Sequence, residues 1–273
     1  MKLMKFVGTD IHLDFPSVGA TENIMLASVM AKGITRINNA AMEPEIVDLQ
    51  NALNSMGAKI VGAGTNNIII KGVEKLIDLS YNIIPDRIEA GTLLCATAIT
   101  GGNIKLQKVI PEHIQTLLNK LEEMGCNIKI NKNEIILNTP KKLKAIDIKT
   151  LPYPGFPTDL QSILGTTLTI AKGTSVIVEN IFENRYRYLA ELTKMGAKTT
   201  IEGRTAVIKG VRRLSKANVR ATDLRGGAAL VLAALNAKGR TCIDNIEYIL
   251  RGYEKLDIKL RSLGANIIIE EKI

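Results

Sequence analysis

One short phrase occurs four times in the chain, and that repetition limits what the chain can fold into. It reads Leu53-Asn54-Ser55-Met56-Gly57-Ala58, Leu121-Glu122-Glu123-Met124-Gly125-Cys126, Leu192-Thr193-Lys194-Met195-Gly196-Ala197 and Leu260-Arg261-Ser262-Leu263-Gly264-Ala265. Its glycines lie 68, 71 and 68 residues apart, a period that marks a duplicated supersecondary unit. An apolar helical run precedes each copy, and a short stretch rich in Ile and Val follows it. Glycine directly after a helix suits a left-handed cap that turns the chain into a strand. A second series, Gly33, Gly102, Gly173 and Gly239, keeps step at intervals of 69, 71 and 66. Two markers in phase exclude chance recurrence of a common helix ending.

Each repeat reads as strand, helix, strand, helix, strand, strand. In the first, residues 11–15 alternate like a strand and Pro16-Ser17-Val18-Gly19 makes a turn. A helix over 22–32 follows, capped by Thr21 or Ser17. A strand at 34–37 leads to a helix over 44–56, opened by Pro44-Glu45, and then to strands at 59–61 and 67–71. The second repeat has helices at 87–99 and from Pro111-Glu112, with strands at 104–106, 127–130 and 134–137. The third has helices at 159–171 and 185–195, and the fourth at 225–237 and 251–263. Pro85, in Ile83-Ile84-Pro85-Asp86, disfavours a helical residue before it and marks a domain crossing. Repeats of this kind bury their helices only by packing on one another.

Composition narrows the function. A chain of 273 residues, 46% hydrophobic and without Trp, can bury a substantial core. Every apolar run is broken well short of the roughly 20 residues a membrane span needs, and the start lacks the long apolar core of a signal peptide. No membrane association is expected, and the cytoplasm is the expected location. Cys95, Cys126 and Cys242 read as buried thiols of a reducing compartment. They do not look like nucleophiles, since no His stands near any of them in sequence. His12 and His113 form no ligand spacing with them, so no metal is expected, and no cofactor. A net charge of +9 favours anionic partners. Aromatics make up only 4% and offer no platform for stacking bases, so nucleic acid is not expected.

Chemistry is expected where equivalent helix starts differ. The third repeat carries Phe156-Pro157-Thr158-Asp159 and the fourth Thr222-Asp223-Leu224-Arg225. The later helices of these repeats are predicted to start near Arg185 and Arg251. Helix N-termini present free amides and partial positive charge, and guanidinium groups bind phosphate and carboxylate in bidentate fashion. Two readings stay open here. Thr158 and Asp159 are helix caps, or part of a site in which Asp159 is a general base with its basicity lowered by arginines. The arginines are solvated, or they hold an anion. Ser17-Val18-Gly19 likewise presents amides to a ligand or is only a turn.

Six ordered motifs carry a resemblance across the whole chain: Ser17-Val18-Gly19-Ala20-Thr21-Glu22-Asn23, Pro85-Asp86-Arg87-Ile88-Glu89, Phe156-Pro157-Thr158-Asp159, Phe182-Glu183-Asn184-Arg185, Thr222-Asp223-Leu224-Arg225 and Arg251-Gly252-Tyr253-Glu254. Together they resemble the UDP-N-acetylglucosamine 1-carboxyvinyltransferase family, the enolpyruvyl transferases of peptidoglycan synthesis. The resemblance implies an inside-out α/β barrel fold, with four of the family's six repeats present. Residues 1–84 would be one repeat of the loop-bearing domain, and residues 85–273 a second domain of three repeats. It implies transfer of enolpyruvate from phosphoenolpyruvate to the 3-hydroxyl of UDP-N-acetylglucosamine. Asp159 would contact that hydroxyl and act in proton transfer, and Arg225 and Arg251 would hold phosphoenolpyruvate. Ser17, Val18, Gly19, Thr158, Ile181 and Arg185 would bind substrate, with the Ser17–Gly19 turn, Ile181 and Arg185 on the UDP-sugar. The family's remaining repeats carry a Lys-Asn pair and a loop with a reactive cysteine and an arginine. None of these has a counterpart here. The chain alone is therefore expected to be nearly inactive, and self-association or a separately encoded N-terminal fragment would cover its exposed faces. The alternative is a protein that binds UDP-sugar, or pairs with an intact enzyme, without catalysis.

Overall fold

The repeated phrase ends a helix in all four places. In the computed structural model, which describes residues 6–270, Gly57, Gly125, Gly196 and Gly264 have φ of 94°, 100°, 88° and 96°. An L side chain is strained there and glycine is not. Each of these glycine N–H groups donates three residues back. The next N–H reaches the leucine that opens the phrase: Ala58 to Leu53, Cys126 to Leu121, Ala197 to Leu192 and Ala265 to Leu260, at 2.9–3.0 Å. This double closure is a Schellman-type cap. All four leucines are buried, so the cap also anchors the helix end in the core. The second glycine series is corrected at one place. Gly33, Gly173 and Gly239 have positive φ, but in the second repeat Gly101 does, not Gly102, because that helix runs on to Thr100.

The chain divides into two compact units, one running to Pro85 and including Pro152–Gly155, the other formed by Asp86–Leu151 and the described residues from Phe156 on. The first unit contains β1 (Asp10–His12), α1 (Val18–Ser28), β2 (Ile34–Asn38), α2 (Pro44–Ser55), β3 (Lys59–Val61) and β4 (Asn67–Lys71). Its sheet has the order β1-β2-β4-β3, with β1 and β2 parallel and the other pairs antiparallel. Strand alternation turns Ile37, Ile60, Ile68 and Ile70 inward against Met25, Ile46 and Leu53 of the helices. Helix α1 starts at Val18, four residues before its predicted start. The Ser17 hydroxyl accepts from the Ala20 N–H, whereas Thr21 is spent on the Ser17 carbonyl and the Ala41 N–H.

The second unit contains α3 (Arg87–Thr100), β5 (Asn103–Gln107), a 3₁₀ turn (Pro111–Ile114) leading into α4 (Gln115–Glu123), β6 (Asn127–Asn131) and β7 (Glu134–Asn138). Next come β8 (Ile148–Lys149), a 3₁₀ turn (Thr158–Leu160), α5 (Gln161–Leu168), β9 (Thr174–Val178), α6 (Arg187–Lys194), β10 (Lys198–Glu202) and β11 (Thr205–Lys209). It ends with β12 (Asn218–Arg220), α7 (Leu224–Asn236), β13 (Cys242–Asp244), α8 (Glu247–Leu250) and α9 (Leu256–Ser262). The sheet β8-β9-β11-β10 copies the order seen in the first unit. The full six-element repeat is not kept throughout. Among the described residues, the second repeat has no opening strand before β5-β7-β6, and the fourth has only the parallel pair β12-β13. Among the described residues, 265–270 pair in no ladder.

Helices α3, α5 and α7 pack on one another at the centre of this unit, and every residue of α5 is buried. Gly165 leaves room for Tyr188 of α6 against α5, since a Cβ there would lie 2.3 Å from the Tyr188 hydroxyl oxygen. The sheets lie outside, with Ile130, Ile201 and Val207 exposed. Helices within and sheets without is the inside-out α/β arrangement expected from the sequence. Cys95 and Cys126 are buried, and burial pushes their thiols up to about 12 and about 11, where they are inert. Cys242 departs from expectation: it is exposed, because β13 belongs to a sheet of only two strands. No described helix is long and apolar enough to cross a membrane.

Candidate functional site

The second unit gathers most of the expected site residues around one carboxylate. Parallel pairing of β8 with β9 sets Lys149 opposite Val178, which puts Thr150 and Glu179 side by side at the strand ends. The 3₁₀ turn that follows aims Asp159 away from the helix it precedes. Thr158 does not cap that helix; its hydroxyl donates to Glu179 Oε2 at 3.0 Å. Asp159 Oδ1 accepts from Arg185 Nη2, and Oδ2 accepts from Arg225 Nη2 at 3.3 Å.

Both arginines are braced from behind. Arg185 Nε donates to the Thr158 carbonyl at 3.2 Å, and its guanidinium lies 4.9 Å from the centre of the Phe182 ring. Arg225 occupies the first turn of α7. Asp223 caps that helix, its Oδ1 accepting from the N–H groups of Arg225 at 3.1 Å and Gly226 at 2.9 Å. The Arg225 guanidinium lies 5.5 Å from the centre of the buried Tyr253 ring, whose hydroxyl shares a 2.9 Å hydrogen bond with Thr92. Such ring contacts hold a guanidinium in place while leaving its outer face free.

The charge balance is uneven. The side chains of Arg185 and Arg225 are only 11% and 14% exposed, and they share one carboxylate that is 40% exposed. Burial pushes the Asp159 carboxyl up, but the charges and hydrogen bonds of Arg225 and Arg185 outweigh it and hold the group below its ordinary value. Asp159 borders a cleft of about 410 Å³ together with Arg185, Arg187, Arg225, Arg251 and Asp223. Four arginines therefore face two aspartates, one of which is occupied as a helix cap. Desolvating two guanidinium groups against one carboxylate is a poor way to stabilise a fold. It is a good way to receive an oxyanion.

Several expectations are corrected or placed. Arg251 does not begin a helix: it follows the four-residue α8, its N–H donating to the Glu247 carbonyl, and still lines the cleft. Arg185 lies in a turn two residues before α6. Ile181 gives its N–H to Glu179 Oε1 at 2.8 Å and does not line the cleft. Ser17, Val18 and Gly19 belong to the first unit, where Ser17 caps α1. Glu179 was not foreseen as a site residue, since a single acid at the end of an apolar strand looks like a solvated terminus. Among the described residues no cluster of His, Cys, Asp and Glu could hold a metal ion.

Fold and site define an α/β protein whose second unit has a helical centre and a cleft bordered by four arginines. The sequence signature of EPSP synthase (3-phosphoshikimate 1-carboxyvinyltransferase) matches residues 2–260, and the chain belongs to that family of enolpyruvyl transferases. It is 57% identical over 262 residues to UDP-N-acetylglucosamine 1-carboxyvinyltransferase 2 of Caldanaerobacter subterraneus subsp. tengcongensis, covering 96% of this chain and 63% of that protein. It is 53% identical over 270 residues to UDP-N-acetylglucosamine 1-carboxyvinyltransferase 1 of Clostridium perfringens, covering 98% and 64%. The chain thus spans a little under two thirds of the length of these relatives. Among solved structures it is similar to the enolpyruvyl transferase NikO from Streptomyces tendae, with a TM-score of 0.86 at 26% identity over 96% of this chain and 65% of that one. It shares its fold with EPSP synthase from Acinetobacter baumannii, with a TM-score of 0.74 at 20% identity over 98% and 64%.

Proposed function

We propose that the cleft serves enolpyruvyl transfer from phosphoenolpyruvate to the 3-hydroxyl of UDP-N-acetylglucosamine, a step of peptidoglycan synthesis carried out in the cytoplasm. The observation that carries this reading is the Asp159 carboxylate bridging two braced arginines beside Arg251, in a chain 57% identical to a protein named for that reaction. In the reaction the hydroxyl oxygen bonds to the enol carbon, the bond from that carbon to the phosphate oxygen breaks, and phosphate leaves. Arg225 and Arg251 hold the phosphate and carboxylate charges of phosphoenolpyruvate. Arg185, which borders the cleft, binds the UDP-sugar. Asp159 takes up the hydroxyl proton. Paired with two arginines it is a weak base; once substrate anions engage those arginines, its proton affinity rises toward the ordinary carboxylate value.

On this reading residues 1–84 and 85–273 act as two domains. The reaction depends on groups that the relatives carry in the third of their length this chain does not span. The test is phosphate release from phosphoenolpyruvate, measured with and without UDP-N-acetylglucosamine. Supplying the N-terminal third of a relative as a separate polypeptide is expected to raise a very low rate, and D159N is expected to abolish the gain. Saturable UDP-sugar binding with no release under either condition would indicate a binding protein instead.

A further inference from the structure

Glu179 is the most deeply buried carboxylate near the cleft and is not itself part of the lining. Its residue is 1% exposed. Oε1 accepts from Thr150 Oγ1 at 2.8 Å, Ile181 N at 2.8 Å and Phe182 N at 3.0 Å, and Oε2 accepts from Thr158 Oγ1 at 3.0 Å. A buried carboxylate is tolerated only when its lone pairs are satisfied, and it is an acceptor at every position. Besides Thr150 at the end of β8, the donors converging on this one buried group lie on two chain segments, which it locks to each other. One segment is Thr158–Asp159, whose Thr158 carbonyl receives Arg185 Nε. The other is Ile181–Phe182, whose Phe182 ring underlies the Arg185 guanidinium.

We propose that Glu179 is a positioning residue that sets Arg185, and through it Asp159, by holding both supports of the Arg185 side chain. It deepens the proposed function and rests on it for the identity of the ligand, but not for the geometry. A glutamine at this position keeps an acceptor for the three bonds at Oε1. It meets Thr158 with an amide that donates, so the fourth bond must reverse. E179Q is thus a narrow probe of the Thr158 link, and E179L removes all four bonds.

The experiment follows the Arg185 Nε–H resonance in the ¹⁵N-arginine-labelled chain, assigned by its loss in R185K, together with calorimetric titration of UDP-N-acetylglucosamine. E179Q is expected to speed solvent exchange of that Nε–H about tenfold and to weaken UDP-sugar binding by a similar factor, the scale of one hydrogen bond to a charged group. E179L is expected to do more. L118A, a core change in the second repeat, is the control: it lowers stability and leaves Arg185 exchange unchanged. If E179L does not fold, E179Q decides. Unchanged exchange in E179Q, or equal acceleration in L118A, overturns the proposal. Accelerated exchange in E179Q, with no UDP-sugar binding by the unsubstituted chain, leaves the positioning role standing and removes the substrate reading.

Discussion

The first and third repeats have the same sheet order and the same helix-ending cap, yet they close the space between strand end and helix start with different chemistry. In the first, Ser17 caps α1 and Thr21 accepts the Ala41 N–H, while Asn39 Nδ2 donates to the Leu13 carbonyl. All these groups are neutral. In the third, Thr158 gives up the capping role and turns to Glu179, which also collects Thr150, Ile181 and Phe182. A neutral network holds a loop. A buried anion here holds the two segments whose Thr158 carbonyl and Phe182 ring brace the Arg185 guanidinium. The duplicated scaffold thus supplies position, and a few substitutions at one end of it supply charge.

The largest expected effect breaks that charge. R225A should weaken phosphoenolpyruvate binding about 100-fold, because it removes a ligand for the anion and leaves Asp159 with only Arg185 of the two arginines it bridges; calorimetry in the presence of UDP-N-acetylglucosamine checks it. The next sharpens the comparison directly, since the same hydroxyl is deleted at corresponding places. T158A should cost about 2 kcal/mol of stability, the scale of a hydrogen bond to a buried charged group, whereas S17A should cost about 1 kcal/mol, the scale of a lost helix cap. Denaturant unfolding of both variants measures the difference, and equal costs would erase the distinction between the two repeats.

The smallest effect is one of pH. The folded Asp159 carboxyl lies below its ordinary value, so as pH falls the unfolded chain takes up this proton first. Its contribution to stability is whole above about pH 4 and declines as pH drops through the folded value. With the side chain 40% exposed, that contribution should stay below about 1 kcal/mol. D159N should lower stability above about pH 4 by up to that amount, leave the acid end nearly unchanged, and so flatten the acid limb of the stability profile.

What the sequence made legible follows the range of the interactions. The four helix endings were readable because a left-handed residue after a helix demands glycine, and the demand is local. Helix starts were less so. Ser17 and Thr21 both offer a capping oxygen, and only the approach of Ala41 shows which one is otherwise occupied. The 3₁₀ turn at Thr158–Leu160 is likewise set by a neighbour, since Thr158 is drawn to Glu179. The arginines and Asp159 were legible as candidates from their places in the repeat and from the family motifs. That Asp159 would sit between Arg185 and Arg225 depends on residues 26 and 66 positions away. Glu179 was invisible for the same reason, since two of its donors lie on other segments and the other two in backbone that bends back toward it.

The most direct test of the account is calorimetric titration of UDP-N-acetylglucosamine into this chain and into R185A. The account expects saturable binding to the unsubstituted chain, weakened at least about tenfold in R185A, as loss of a charge-assisted contact requires. Saturable binding that R185A leaves unchanged, or no saturable binding to the unsubstituted chain, would contradict the claim that this cationic cleft receives the sugar nucleotide.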